Sequence, residues 1–288
     1  MIKLIRFWLY GSRPFIALHY LFPTALGVFI GYHTFNKPVY FLPCALTFLA
    51  VFFSFQSSII LNDIYDIKTD AYTRRATPLT SGGYSRRSYL IWGAVFLAAG
   101  LIAAGAVGYR IMLIILLGNI LHFLYSAPPF RLKKFFPLSV IMLASGAVLA
   151  AIVGYAIYEP ARPFLSFPGK AALFIFIPLL FSLNFRDLAD YEGDRRDNVS
   201  SLFTVLGLNT GRIVNAVMVF LSYAAVPVIL GYPPLFIAAL PLGLISCYFC
   251  LKKPFRERNV FIIYFILVVI LTVLFNLKPG IVLTPVPR

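Results

Sequence analysis

Apolar runs of about 20 residues, long enough to cross the hydrocarbon of a bilayer, recur along the chain and alternate with short polar stretches. Nine of them lie at roughly 15–32, 40–61, 89–108, 111–126, 137–157, 170–185, 213–230, 234–251 and 259–277. The pattern predicts an all-α integral membrane protein with nine transmembrane helices. The fourth and sixth runs are short, so they are expected to begin or end within protein rather than lipid. In the third run, Gly100, Ala104 and Gly108 recur every four residues, a spacing that lets a neighbouring helix approach closely.

Composition excludes a soluble domain. The 288 residues are 60% hydrophobic, with a mean hydropathy of +0.87, whereas soluble domains are about half apolar. Charge then orients the chain. Of the 25 Lys and Arg, 19 fall in the N-terminal segment and in the loops after the second, fourth, sixth and eighth runs, and six fall on the other side. Basic residues favour the cytoplasmic side of a span, so the N-terminus is expected in the cytoplasm and the C-terminus outside, in the inner or plasma membrane of the cell. No nucleic-acid partner is expected. The opening "MIKLIRFWLYGSRP" lacks a cleavage site followed by a polar mature chain. It reads either as an interfacial amphipathic helix, with Lys3, Arg6 and Trp8 at headgroup level, or as a basic tail. Cys44, Cys247 and Cys250 all fall in spans and are read as packing residues.

Acidic residues are the exception to this pattern. The chain holds ten, and eight of them lie in "LNDIYDIKTD" at 61–70 and "RDLADYEGDRRDN" at 186–198. Both stretches fall on the predicted cytoplasmic side and four spans apart, which is consistent with an internal repeat of a four-helix unit. Asp63, Asp66 and Asp70 are spaced i, i+3, i+7 and occupy an arc of about 60° on a helix. Asp187, Asp190 and Asp194 repeat that spacing. Carboxylates about 5 Å apart at an effective dielectric near 20 repel by about 3 kcal/mol, so each stripe calls for a positive partner. An oxygen-only donor set suits Mg²⁺, which uses a few carboxylates together with water and the phosphate oxygens of a substrate. Two facing stripes would hold more than one Mg²⁺, and these would clamp an anionic substrate such as a diphosphate. Nearby cations suit the same ligand: Arg74 and Arg75 follow the first stripe, and Arg131, Lys133 and Lys134 follow the helix stop at Pro128 and Pro129.

The pattern N-D-x-x-D-x-x-x-D at 62–70 and D-x-x-D-x-x-x-D at 187–194 resembles the signatures of the UbiA-type membrane prenyltransferase superfamily, which includes 4-hydroxybenzoate polyprenyltransferases and chlorophyll synthases. The resemblance extends to Arg13 and Pro14, to "PLTSG" at 78–82, to "YSAPPFRLKK" at 125–134 and to "TVLG" at 204–207. It implies that residues 1–288 form a single prenyltransferase domain, with nine helices around a central cavity and cytoplasmic loops as a cap. It also implies Mg²⁺ as cofactor, a prenyl diphosphate donor, a lipophilic acceptor such as a quinone precursor, and release of diphosphate. Asn62, Asp66, Asp70, Asp187, Asp190 and Asp194 are the implied metal ligands. Asp63, Asp66, Asp70, Asp187, Asp190 and Asp194 are the implied catalytic acids. Tyr125, Arg131 and Lys133, with Arg74 or Arg75, are the implied diphosphate contacts. Thr77 stands where many members carry an arginine, which leaves Arg74 and Arg75 as the two candidates for its role.

Three other readings compete with this one. A terpene cyclase on the same scaffold would keep both motifs and use the prenyl chain as its own acceptor. A CDP-alcohol phosphotransferase needs glycine where this chain has Ile67. A divalent-cation transporter would need ionisable groups deep within the spans, and between the span ends only His19 and His122 meet that description among Asp, Glu, Lys, Arg and His. His122, one turn before Tyr125, is expected to be a buried packing histidine.

Overall fold

The computed structural model describes residues 14–72 and 77–283. The N-terminal stretch, Arg13, Arg74 and Arg75 lie outside the described residues. Every regular element among the described residues is helical: α1 (Pro14–Phe35), α2 (Phe41–Tyr72), α3 (Arg86–Val107), α4 (Tyr109–Ser126), α5 (Leu138–Tyr155), α6 (Pro163–Ser166), α7 (Gly169–Ser182), α8 (Asp187–Arg196), α9 (Leu202–Leu206), α10 (Leu208–Leu230), α11 (Phe236–Leu251), α12 (Glu257–Leu277) and α13 (Gly280–Leu283). Short 3₁₀ segments occupy Leu132–Lys134, Leu183–Arg186 and Pro233–Leu235. Eight helical stretches are long and apolar enough to cross a membrane, built on α2, α3, α4, α5, α7 with α8, α10, α11 and α12. Helix α1 covers the first apolar run.

Two of these stretches outrun their apolar sequence. Helix α2 has 32 residues, about 48 Å at 1.5 Å per residue, against about 30 Å of hydrocarbon. Nothing after Pro43 breaks it, so it carries straight through the acidic stretch. The sixth apolar run is itself short, its helix α7 spanning 14 residues, but the helical stretch outlasts it. Hydropathy falls at Asn184 and Arg186, but the backbone continues as α7, the 3₁₀ segment and α8, a single stretch of 28 residues from Gly169 to Arg196.

The chain divides into two compact units. The first comprises the residues up to Lys133 together with Gly146–Ser166. In it α3 lies against α2 through Gly100, whose added Cβ would sit 3.2 Å from the Ala50 carbonyl oxygen. Ala104 is buried as well. Gly108 has open space around it and joins α3 to α4, so it does not take the packing role its spacing suggested. Asn119 of α4 donates to Ser54 of α2 at 3.1 Å. The second unit comprises Lys134–Ser145 and the residues from Phe167 onward. There α10 packs on α7 and α11, and the Ser246 hydroxyl donates to Tyr223 at 2.9 Å. Helix α9 is opened by a capping box between Ser201 and Thr204.

Helix α1 meets the end of α5 at backbone distance within the first unit. A Cβ on Gly27 would lie 1.8 Å from the Ala151 carbonyl oxygen, and one on Gly154 would lie 2.1 Å from that of Thr24. Both obstacles are main chain, so neither can swing aside. Gly154→Ala is expected to destabilise the protein by about 1–3 kcal/mol, read as a lower Tm in detergent, with Gly108→Ala as a control that leaves Tm nearly unchanged.

Candidate active site

Helix α2 leaves its apolar stretch at Asn62 and carries Asn62, Asp63, Asp66 and Asp70 over the next two turns. Helix α4 ends at Ser126, just before Pro128 and Pro129. The chain then turns back, with the Arg131 amide donating to the Ala127 carbonyl at 2.8 Å. Arg131 itself adopts φ 42°, in the left-handed region that non-glycine residues rarely enter. This turn and the 3₁₀ segment after it set two cations against α2.

Both oxygens of Asp66 are held. Arg131 Nη2 donates to Asp66 Oδ1 at 2.9 Å, and Lys133 Nζ donates to Asp66 Oδ2. The same ammonium donates to Asn62 Oδ1 at 2.9 Å, and Ser126 Oγ donates to that oxygen at 3.2 Å. The Asp66 and Lys133 side chains are only 14% and 13% exposed, so this ion pair is not one of the solvated surface pairs that contribute little. Burial pulls the Lys133 ammonium below the usual lysine range, while the adjacent Asp66 carboxylate pushes it back up. Asp70, also buried, acts on Lys133 in the same upward sense.

Asp63 turns to a different neighbour. Its Oδ2 accepts from the Tyr89 hydroxyl of α3 at 2.9 Å, and both residues are buried. Thr77 closes its own loop: its amide donates to Thr80 Oγ1 at 2.8 Å, and the Thr80 amide donates to Thr77 Oγ1 at 3.1 Å. The Tyr125 ring stands 5.6 Å from that of His122. His122 is half-buried. Arg74 and Arg75, predicted diphosphate contacts, fall outside the described residues.

In the second unit, Asp187, Asp190 and Asp194 all lie on α8. The Asp187 carboxylate is near enough to Asp190, Arg186 and Glu257 to interact with each. Arg186 Nε stands 3.7 Å from Glu257 Oε1. Leu188 anchors the helix in an apolar cluster with Leu202 and Phe203, covered by Phe136 and Tyr191. Beyond the motif, the Val199 amide donates to the Asp194 carbonyl at 2.8 Å, and the Ser200 amide to that of Lys134 at 2.9 Å. Lys134 Nζ in turn donates to the Asp197 carbonyl at 3.0 Å.

Among the described residues, no three His, Cys, Asp or Glu side chains form a ready-made metal cage. The donor set still fits Mg²⁺, because that ion binds through one or two carboxylates and takes its remaining oxygens from water and phosphate. Asn62, Asp66 and Asp70, like Asp187, Asp190 and Asp194, offer only oxygen for the purpose. Sequence reasoning passed over Ser126 and Tyr89. Ser126 lay inside the quoted "YSAPP" stretch, whereas no signal distinguished Tyr89 from the other aromatics of the spans.

Comparison with known proteins finds relatives in sequence and in fold. The probable chloroplastic homogentisate phytyltransferase 2 of Oryza sativa subsp. japonica is 29% identical over 173 residues, which cover 57% of this chain and 45% of that protein. The digeranylgeranylglyceryl phosphate synthase of Pyrococcus horikoshii is 25% identical over 198 residues, 67% of this chain and 69% of that one. The chain spans about half the length of the curated plant relatives it matches. A UbiA homolog from Archaeoglobus fulgidus, solved bound to GPP and Mg²⁺, shares the fold with a TM-score of 0.68 at 22% identity, covering 96% of this chain and 99% of that one. Residues 20–266 match the UbiA prenyltransferase family, and the chain is an integral membrane protein that belongs to it.

Proposed function

We propose that this protein is a Mg²⁺-dependent intramembrane prenyltransferase, which moves a prenyl group from a prenyl diphosphate to a lipophilic acceptor and releases diphosphate. The observation that carries the proposal is the pairing of Asp66 with Arg131 and Lys133, which share that corner of the site with Asn62. Cations placed beside acids and Asn in an apolar protein suit a diphosphate that arrives with its metal. Named relatives support the reaction class, since they include a homogentisate phytyltransferase and a digeranylgeranylglyceryl phosphate synthase. The acceptor in this reading is an aromatic or other lipophilic molecule.

In this reading Asn62, Asp66, Asp70, Asp187, Asp190 and Asp194 hold the metal. Asp63 serves with the catalytic acids, and Arg131 and Lys133, with Tyr125 and Arg74 or Arg75, bind the diphosphate. Bound Mg²⁺ supplies Lewis-acid stabilisation of charge on the leaving diphosphate. Lys133 and Arg131 add directed cationic hydrogen bonds to the same oxygens. Asp66 keeps both cations oriented before the substrate arrives, and the surrounding apolar helices exclude water that would capture the prenyl cation. Residues 1–288 act as one domain of nine spans around a cavity with cytoplasmic loops as a cap, the N-terminus in the cytoplasm and the C-terminus outside, in the inner or plasma membrane.

Asp66→Ala or Asp190→Ala in proteoliposomes is expected to cut turnover by on the order of 10²- to 10³-fold, the scale of losing one charge-stabilising group, while the protein stays folded and inserted. Diphosphate released from a labelled prenyl diphosphate is the readout, and full activity in either variant refutes the assignment. Chelating Mg²⁺ should stop release and adding it back should restore it; accumulation of labelled divalent cation in the vesicles without diphosphate release would indicate transport instead. Lys133→Met should raise KM for the donor by about tenfold, equivalent to roughly 1.4 kcal/mol, as measured by initial rates at saturating acceptor.

A further inference from the structure

The first acidic motif is held from both sides, and only one side belongs to the substrate machinery described above. On the other side stands Tyr89, a wholly buried residue on the first turn of α3, whose hydroxyl donates to Asp63 Oδ2 at 2.9 Å. We infer that Tyr89 is a positioning residue for the metal motif, acting through Asp63 to set the rotation of α2 that presents Asn62 and Asp66 to Lys133 and Arg131. The inference rests on the prenyltransferase reading of that motif.

Each neighbour of Tyr89 fixes it in place. Its ring packs in an apolar cluster with Ile60, Ile64, Leu79 and Phe96. Ile60 and Ile64 lie on the same helix to either side of Asp63, so the cluster grips α2 around that residue. One turn along α3, Gly93 brings the helices so close that a Cβ there would lie 3.0 Å from Ile60. At the start of α3, the Ser85 side chain accepts from the Ser88 amide at 3.1 Å and caps the helix. Tyr89 can therefore neither slide along α2 nor turn away from it.

A hydroxyl bonded to a buried carboxylate is charge-assisted, and it is about twice as strong as a neutral bond. Tyrosine suits the position because one side chain fills an apolar cluster with its ring and reaches an acid with its tip. Asp63 lies one residue after Asn62 and three before Asp66, so fixing it fixes the azimuth of both. Helical residues advance 100° each, and a rotation of a few tens of degrees would carry Asn62 Oδ1 and Asp66 out of reach of the ammonium they now share. A purely structural Tyr89 would only satisfy a buried acid, and its loss would lower stability without touching metal affinity.

Mn²⁺ titration followed by electron paramagnetic resonance, on the full-length protein in detergent with inorganic diphosphate present, separates these cases without measuring turnover. Tyr89→Phe keeps the ring in the cluster and removes only the hydroxyl. Five- to tenfold weaker Mn²⁺ binding is expected, together with a matching rise in the Mg²⁺ concentration for half-maximal diphosphate release and a smaller change in kcat. Leu79→Ala removes packing from the same cluster and should lower Tm while leaving Mn²⁺ affinity within twofold. Unchanged affinity in Tyr89→Phe overturns the inference, and so does equal weakening in both variants, which would indicate general loosening. Wild-type protein that binds no Mn²⁺ overturns it too, and is distinguishable because the metal reading of the motif then fails at its root.

Discussion

The first acidic motif depends on the neutralisation of Asp66. A carboxylate at the end of an apolar helix loses much of its hydration, and two cations from a neighbouring loop replace it. That requirement shapes the loop. Helix α4 has to stop, the chain has to turn within a few residues, and Arg131 has to enter a backbone region that costs it of order 1 kcal/mol or more. Strain of this kind persists where the surroundings over-determine it, and here two side-chain bonds to α2 do so.

A substrate diphosphate would find the cations already ordered. Free lysine and arginine side chains lose up to about 2 kcal/mol of rotamer entropy when they are fixed, and Asp66 imposes that loss during folding rather than during binding. Under the proposed function the acid would serve the site twice, as an oxygen donor for metal and as the template that orients Lys133 and Arg131. Asn62 shares the second duty, because its carbonyl oxygen accepts from both Lys133 and Ser126. A neutral amide in that place accepts hydrogen bonds without adding a further negative charge to a stripe that already repels itself.

Much of this was legible in the sequence because two strong signals coincided. Hydropathy located the spans, and the shortage of acids elsewhere made two carboxylate stripes stand out. Hydropathy marks only the apolar part of the sixth span, ending near Asn184, while the carboxylate spacing was the signal that the helix proceeds toward Arg196. Spacing alone also suggested packing for Gly108, which instead joins two helices, while the closest backbone approaches fall at Gly27 and Gly154. Arg131 and Lys133 were found through local motif context, and Ser126 sat unremarked in the same stretch. Tyr89 could not be singled out, because its partner lies 26 residues away and a tyrosine in an aromatic-rich span carries no mark of its role.

The tightened segment Leu183–Arg186 separates two orientations within one membrane-crossing rod. A 3₁₀ turn advances about 120° per residue and an α turn about 100°, so four residues wind the rod on by roughly 80° more than an unbroken α-helix would. The azimuth of Asp187, Asp190 and Asp194 is consequently set further round the axis than an unbroken α-helix would place it. The offset is fixed by the backbone, so the acidic face of α8 and the apolar face of α7 need not follow one line along the axis.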